Sequence, residues 1–163
     1  MATRVYLDTW LLRALVSDQG HERGDAKHEL SKLVSNSFEV VVPQIALGEA
    51  FATIMRDYSD NLAEAHNKLI KLHDDLKLVI DSRTCLPSPT ILSLQYAQEM
   101  KNEDSNLRET DLLIVSQALV DPESQRLLTA DRDLLDSMVI TNKEQELRDS
   151  GNRNQVLKIV DGL

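Results

Sequence analysis

Short apolar runs that stop abruptly alternate along this chain with longer segments of helical period, and few folds accommodate that order. Val5, Tyr6 and Leu7 form a compact run that ends at Asp8, so a strand is expected over Arg4–Leu7, with helical character from Thr9 onward. The run FEVVV, Phe38–Val42, is the clearest strand. Pro43 behind it suits the first turn of a helix, and PQIALGEAFATIMRDY is expected to be one. Across Asn61–Leu76, Leu62, Ala65, Leu69, Leu72 and Leu76 recur three or four apart, the mark of an amphipathic helix.

The remaining segments extend the pattern. A weak helix is expected over Asp25–Ser35, and Leu78–Ile80 is a candidate short strand. SRTCLPSPT is a loop, because Pro87 and Pro89 forbid continuous helix. Helices follow over Ile91–Lys101 and Glu109–Val120, separated by the polar turn NEDSN. Arg126–Thr129 is a strand, Asp131–Ser137 a helix or turn, and Gln155–Val160 a last strand. The implied architecture is α/β, with three layers and a central, mostly parallel sheet of about five strands flanked by helices. At 163 residues, with no internal repeat, the chain is expected to form a single domain over residues 1–163.

The formal charge of −9 gives no general attraction to a nucleic-acid backbone and weighs against a simple nucleic-acid-binding module. It leaves a nuclease open, because clustered carboxylates attract phosphate once divalent cations occupy them. Cys85 is the one cysteine, which excludes an intramolecular disulfide framework and a cysteine zinc site; a reducing, cytoplasmic setting is expected. MATRVYLDTWLLRALV lacks a signal-type apolar core and a membrane span. No HExxH, GxSxG or Gly-rich phosphate loop is present. His21 and His28 stand seven apart, as do His66 and His73, a spacing unlike a metal pair on one helix turn, so surface positions are expected.

The acids carry more. Asp8 stands where the first strand ends, Asp131 just past RLLT, Asp111 in the first turn of a helix, and Glu49 about two turns into the helix behind FEVVV. Sites in parallel sheets form beyond the carboxyl ends of the strands, so these acids can meet there. Each has an ordinary structural reading beside the functional one. Asp8, Asp131 and Asp133 suit helix caps, and Asp111 suits a helix dipole. Glu49 differs: its helical neighbours Ile45, Ala46, Ala52 and Thr53 make a mostly apolar stripe, where a carboxylate needs a partner or a metal. Arg13, Arg56, Arg108 and Arg132 lie near these acids in sequence; contact with substrate phosphate is one reading, and solvated surface is the ordinary expectation for each.

Four segments in order, VYLDTWLL, VVPQIALGEAFATI, ETDLLIVSQAL and LLTADRDLLDS, resemble the PIN-domain ribonucleases, notably the VapC-type toxins of toxin–antitoxin pairs. The resemblance runs from Val5 to the closing QVLKIV. It implies a PIN-like fold in which Asp8, Glu49, Asp111 and Asp131 are the catalytic, metal-binding acids. Asp133 either assists or replaces Asp131, and Thr9 and Thr129 are the supporting hydroxyl residues. The implied cofactor is Mg²⁺ or Mn²⁺, and the implied reaction is endonucleolytic cleavage of RNA. The implied partners are the RNA substrate, an antitoxin protein laid over the acidic groove, and a second copy in a homodimer. A PIN nuclease of RNA maturation or quality control, and a non-catalytic PIN-like protein-binding module, are the alternatives.

Overall fold

The computed structural model describes residues 2–79 and 86–163. Four strands, β1 (Arg4–Leu7), β2 (Glu39–Val41), β3 (Ser124–Leu128) and β4 (Lys158–Val160), pair in parallel in the order β2-β1-β3-β4. β1 holds an interior place because Val5, Tyr6 and Leu7 are all buried, as a strand covered on both faces requires. Around the sheet lie α1 (Thr9–Ala14), α2 (Gly20–Ser35), α3 (Gln44–Asp57), α4 (Leu62–Leu76), α5 (Ile91–Glu103), α6 (Glu109–Val120), α7 (Arg132–Leu135) and α8 (Met138–Asp149).

The expected sheet of about five strands is corrected to four among the described residues. Leu78 and Val79 do not form a strand. Their N–H groups donate to Asp75 and Leu76 carbonyls, so the turn closing α4 uses the groups a ladder would need, and Leu78 is 63% exposed. Ile80 lies outside the described residues, as do Ser82–Cys85 of the expected SRTCLPSPT loop. Pro87 anchors the loop's described end, its carbonyl accepting from the Gln44 N–H and from Gln117 Nε2, both at 3.0 Å.

Helix boundaries follow their local chemistry. α4 starts where Asn61 accepts from the Glu64 N–H, and α5 where Thr90 and Ser93 form a reciprocal capping box. α2 begins five residues before Asp25, at Gly20. α8 was not expected at all: Ser137 caps it by accepting from the Ile140 N–H, but only Ile140 and Leu147 among its apolar residues are buried. α6 is buried along most of its length and packs on α5, α8 and β3. One apolar cluster joins the strands to all of α1–α8, and its side chains are mainly Leu, Val, Ile and Ala. No helix among the described residues is long and apolar enough to cross a membrane.

Candidate active site

In the order β2-β1-β3-β4, β1 leads on to β2 at one edge while β3 leads on to β4 at the other. The connections therefore diverge between β1 and β3, and a crevice opens beyond their carboxyl ends. Asp8 stands directly after β1 and Thr129 directly after β3. The Asp8 N–H donates to the Leu128 carbonyl at 3.2 Å, and Thr129 Oγ1 donates to Asp8 Oδ2 at 2.6 Å. Thr129 Oγ1 also accepts from the Asp131 N–H at 3.1 Å, which leaves its own proton to point at Asp8.

Asp8 is 3% exposed and occupies the N-cap position of α1, yet its side chain makes no capping hydrogen bond. Its second oxygen, Oδ1, is buried with no hydrogen-bond partner. Burial pushes the Asp8 carboxyl above its usual range, against the Thr129 hydroxyl and the Thr9 N–H, with Glu49 and Asp131 adding to the rise. An orphaned buried carboxylate oxygen is costly, and simple capping does not explain it.

α3 projects Glu49 to the same crevice from the stripe containing Ala46, Ala50 and Thr53, all buried. Thr9 Oγ1 donates to Glu49 Oε2 at 2.7 Å, and Arg108 Nη2 donates to Oε1 at 2.7 Å. The two threonines thus serve crosswise: Thr9, next to Asp8 in sequence, holds Glu49, while Thr129 holds Asp8. Asp111, in the first turn of α6, is 5% exposed. Its carboxyl is pushed up to about 7, first by burial and then by Asp8, with Asp131 and Glu49 adding and Arg108 opposing.

Asp8, Glu49, Asp111 and Asp131 line one cavity of about 670 Å³, together with Thr9, Trp10, Arg13, Tyr58 and Arg108. Asp131 also caps α7, its Oδ1 accepting from the Asp133 N–H at 2.9 Å. Asp133 itself is exposed and is not among the lining residues. Glu109, beside Asp111 in sequence, turns instead to Lys101 at 3.1 Å. All four histidines are exposed.

Arg108 is largely exposed, as expected, but it also lines the cavity, as does Arg13. Arg108 precedes Asp111 by three positions, a spacing that puts both at one end of α6, and Nε stands 3.8 Å from Asp111 Oδ2. Lys68 was missed. It is buried on α4 and donates to the Val16 carbonyl and to Asp18, whose other oxygen accepts from Tyr58; Val16, Asp18 and Tyr58 also line the cavity.

The donor set consists of oxygens alone, which suits a hard cation such as Mg²⁺ or Mn²⁺, and Asp8 Oδ1 is an oxygen in need of one. Among the described residues no group of three His, Cys, Asp or Glu side chains is already drawn together around a metal position. The contacts give a physical reason: one oxygen each of Asp8 and Asp131 and both oxygens of Glu49 are engaged by protein donors.

The raised Asp111 carboxyl makes a pH prediction for the metal-free protein. Between its ordinary value near 4 and about 7 the folded state holds a proton that the unfolded state releases, so stability falls as pH rises through that window. Asp111→Asn is therefore expected to stabilise the protein at pH 8 in chelator by about 2 kcal/mol, on the order of 5 °C in Tm, and to change little at pH 4. Thermal melts at the two pH values check it; an equal shift at both would contradict it.

No model of a known protein family and no curated protein matches the chain.

Proposed function

We propose that the chain is a Mg²⁺- or Mn²⁺-dependent endoribonuclease of the PIN type, hydrolysing RNA phosphodiester bonds as the toxin of a toxin–antitoxin pair. The observation that carries this reading is Asp8: a buried carboxylate held on one oxygen by Thr129, orphaned on the other, in a cavity shared with three further acids. Repelling carboxylates kept together cost stability, and a site that binds a divalent cation accounts for them. The fold supports the reading through the position of the cavity at the carboxyl ends of β1 and β3.

In this reading Asp8 Oδ1 and the Asp111 carboxylate are the principal anionic oxygens, with Glu49 and Asp131 completing the rim. Thr129 and Thr9 fix the rotamers of Asp8 and Glu49 by holding their far oxygens. Arg13 and Arg108 are the cations lining the cavity, suited to the phosphates on either side of the scissile bond. A bound Mg²⁺ or Mn²⁺ supplies acidification of the attacking water and neutralisation of charge on the phosphoryl group. Asp133, exposed beside Asp131, is the reserve acid of the set. An antitoxin protein covering the acidic cavity and a homodimer of the chain complete the proposal.

Purified protein incubated with a panel of defined RNAs is expected to cleave only with Mg²⁺ or Mn²⁺ and to stop on addition of chelator. Glu49→Gln is expected to lower cleavage about 10- to 100-fold. Undiminished cleavage in both Glu49→Gln and Asp8→Asn would remove this site from the chemistry. Growth arrest on expression, relieved by Glu49→Gln, is expected of a toxin; metal-dependent cleavage without arrest points to RNA maturation or quality control.

One observation favours a second reading, a non-catalytic PIN-like protein-binding module. The Arg108–Glu49 ion pair neutralises an acid that a nuclease needs. Absence of divalent binding at millimolar concentrations decides for that module.

A further inference from the structure

Arg108 stands at the N-cap of α6, where its side chain makes no capping bond. At 62% exposure, packing does not fix it. Its guanidinium nevertheless reaches a residue 59 positions away, donating to Glu49 Oε1 at 2.7 Å with Asp111 Oδ2 3.8 Å from Nε. The cavity that Asp8 also lines thus contains a positive charge in contact with Glu49 and close to Asp111.

Such a placement has a thermodynamic consequence. With the cavity rich in carboxylates, the guanidinium in contact with Glu49 offsets part of their repulsion. A divalent cation offsets more, but it must compete with Arg108 for Glu49. An exposed ion pair is worth only about 0–1 kcal/mol, and the side chain has solvent to move into, so the exchange is cheap and reversible. We propose that Arg108 is an exchangeable counter-cation that holds Glu49 in the metal-free protein, is displaced when a divalent cation binds, and so sets the affinity for that cation. This rests on the metal-dependent reading of the site. It adds that the ion pair opposing metal binding is a built-in competitor within an intact site.

Mn²⁺ titrated into the full chain, followed by calorimetry and by loss of the free-ion paramagnetic resonance signal, tests this with the wild type, Arg108→Gln, Asp8→Asn and the double variant. Arg108→Gln is expected to bind Mn²⁺ about 5- to 10-fold more tightly than wild type. In chelator it melts lower than wild type, and it gains more in Tm when Mn²⁺ is added. The double variant is expected to lose the tight binding. Equal or weaker affinity in Arg108→Gln, with wild type binding normally, overturns the competition and leaves the nuclease reading standing. Tight binding that survives Asp8→Asn overturns it too, because the ion then sits elsewhere. If neither wild type nor Arg108→Gln binds Mn²⁺ at several millimolar, the metal-dependent reading falls and the inference with it.

Discussion

Asp8→Asn is expected to lower RNA cleavage by about 10²- to 10³-fold while making the metal-free protein more stable. The two effects have opposite signs because one carboxylate serves them both. Oδ1 of Asp8 is buried without a hydrogen-bond partner, in a cavity with Glu49, Asp111 and Asp131, so its charge is repelled by its neighbours and only partly offset by the Thr129 hydroxyl on Oδ2. An asparagine of the same shape accepts the Thr129 hydroxyl through its carbonyl oxygen. Its neutral amide then replaces the orphaned, charged oxygen. The neutral group also lets the Asp111 carboxyl fall back toward its ordinary range by removing a like charge. Divalent cations lose their most enclosed ligand in the exchange. Cleavage assays in Mg²⁺ and thermal melts in chelator read the two sides separately. A variant that loses activity and also melts lower has merely been damaged; one that keeps activity removes Asp8 from the chemistry.

Arg153→Met is expected to be the most destabilising single substitution away from the cavity, costing about 3–5 kcal/mol and on the order of 10 °C in Tm. Arg153 is 3% exposed, and its guanidinium serves the end of another helix. Nη1 donates to the carbonyls of Ala118 and Leu119 at 2.8 Å and of Asp121 at 2.7 Å, while Nη2 donates to the Ser124 carbonyl at 2.7 Å. The last carbonyls of a helix have no partner within it, and a cation there also meets the negative end of the helix dipole. The side chain thus ties the segment after α8 to the turn between α6 and β3. Methionine fills the space but removes the guanidinium donors from this cluster of backbone acceptors; Ser124 still donates to the Ala118 and Asp121 carbonyls, but the Leu119 and Ser124 carbonyls lose their guanidinium partner. Arg153→Lys restores one charge and only some of the donors, so partial recovery is expected. Urea or thermal unfolding measures the loss; a change under 1 kcal/mol would contradict this account of Arg153.

The sequence disclosed the elements that rest on simple periodicity and the acids that rest on strand ends. Arg4–Leu7 and Glu109–Val120 stand where their apolar patterns put them, because a fully buried strand and a fully buried helix leave little room for polar residues. Asp8 was legible for the same reason, since an acid immediately after a buried strand has few places to go, and Asp131 follows β3 by three residues. What the sequence hid came from pairing between distant residues. α8 was concealed because Lys143 and Glu144 are buried between Ile140 and Leu147, interrupting the stripe a helix usually shows; Lys143 is held by Glu99 at 2.6 Å and Glu144 by Arg148 at 2.8 Å. Lys68 lies on the buried stripe of α4, three residues after Ala65 and four before Leu72, a position that signalled a buried amine. Its partners Val16 and Asp18 are about 50 residues away and carry no local sign of the contact. Arg108 was hidden in the same way, since its exposure is that of a surface arginine while its partner Glu49 belongs to another helix. The fifth strand failed because Leu78 and Val79 are apolar by composition but have their N–H groups bonded within a turn.

Crystals soaked in Mn²⁺ and measured for anomalous scattering put the convergence of the acids to the most direct test. A peak is expected beyond the carboxyl ends of β1 and β3, in contact with Asp8 Oδ1 and an oxygen of Asp111 at about 2.1 Å, and absent from Asp8→Asn crystals. No peak at that place in saturating Mn²⁺, or an equal one in Asp8→Asn, would contradict a divalent cation as the reason these carboxylates share one cavity.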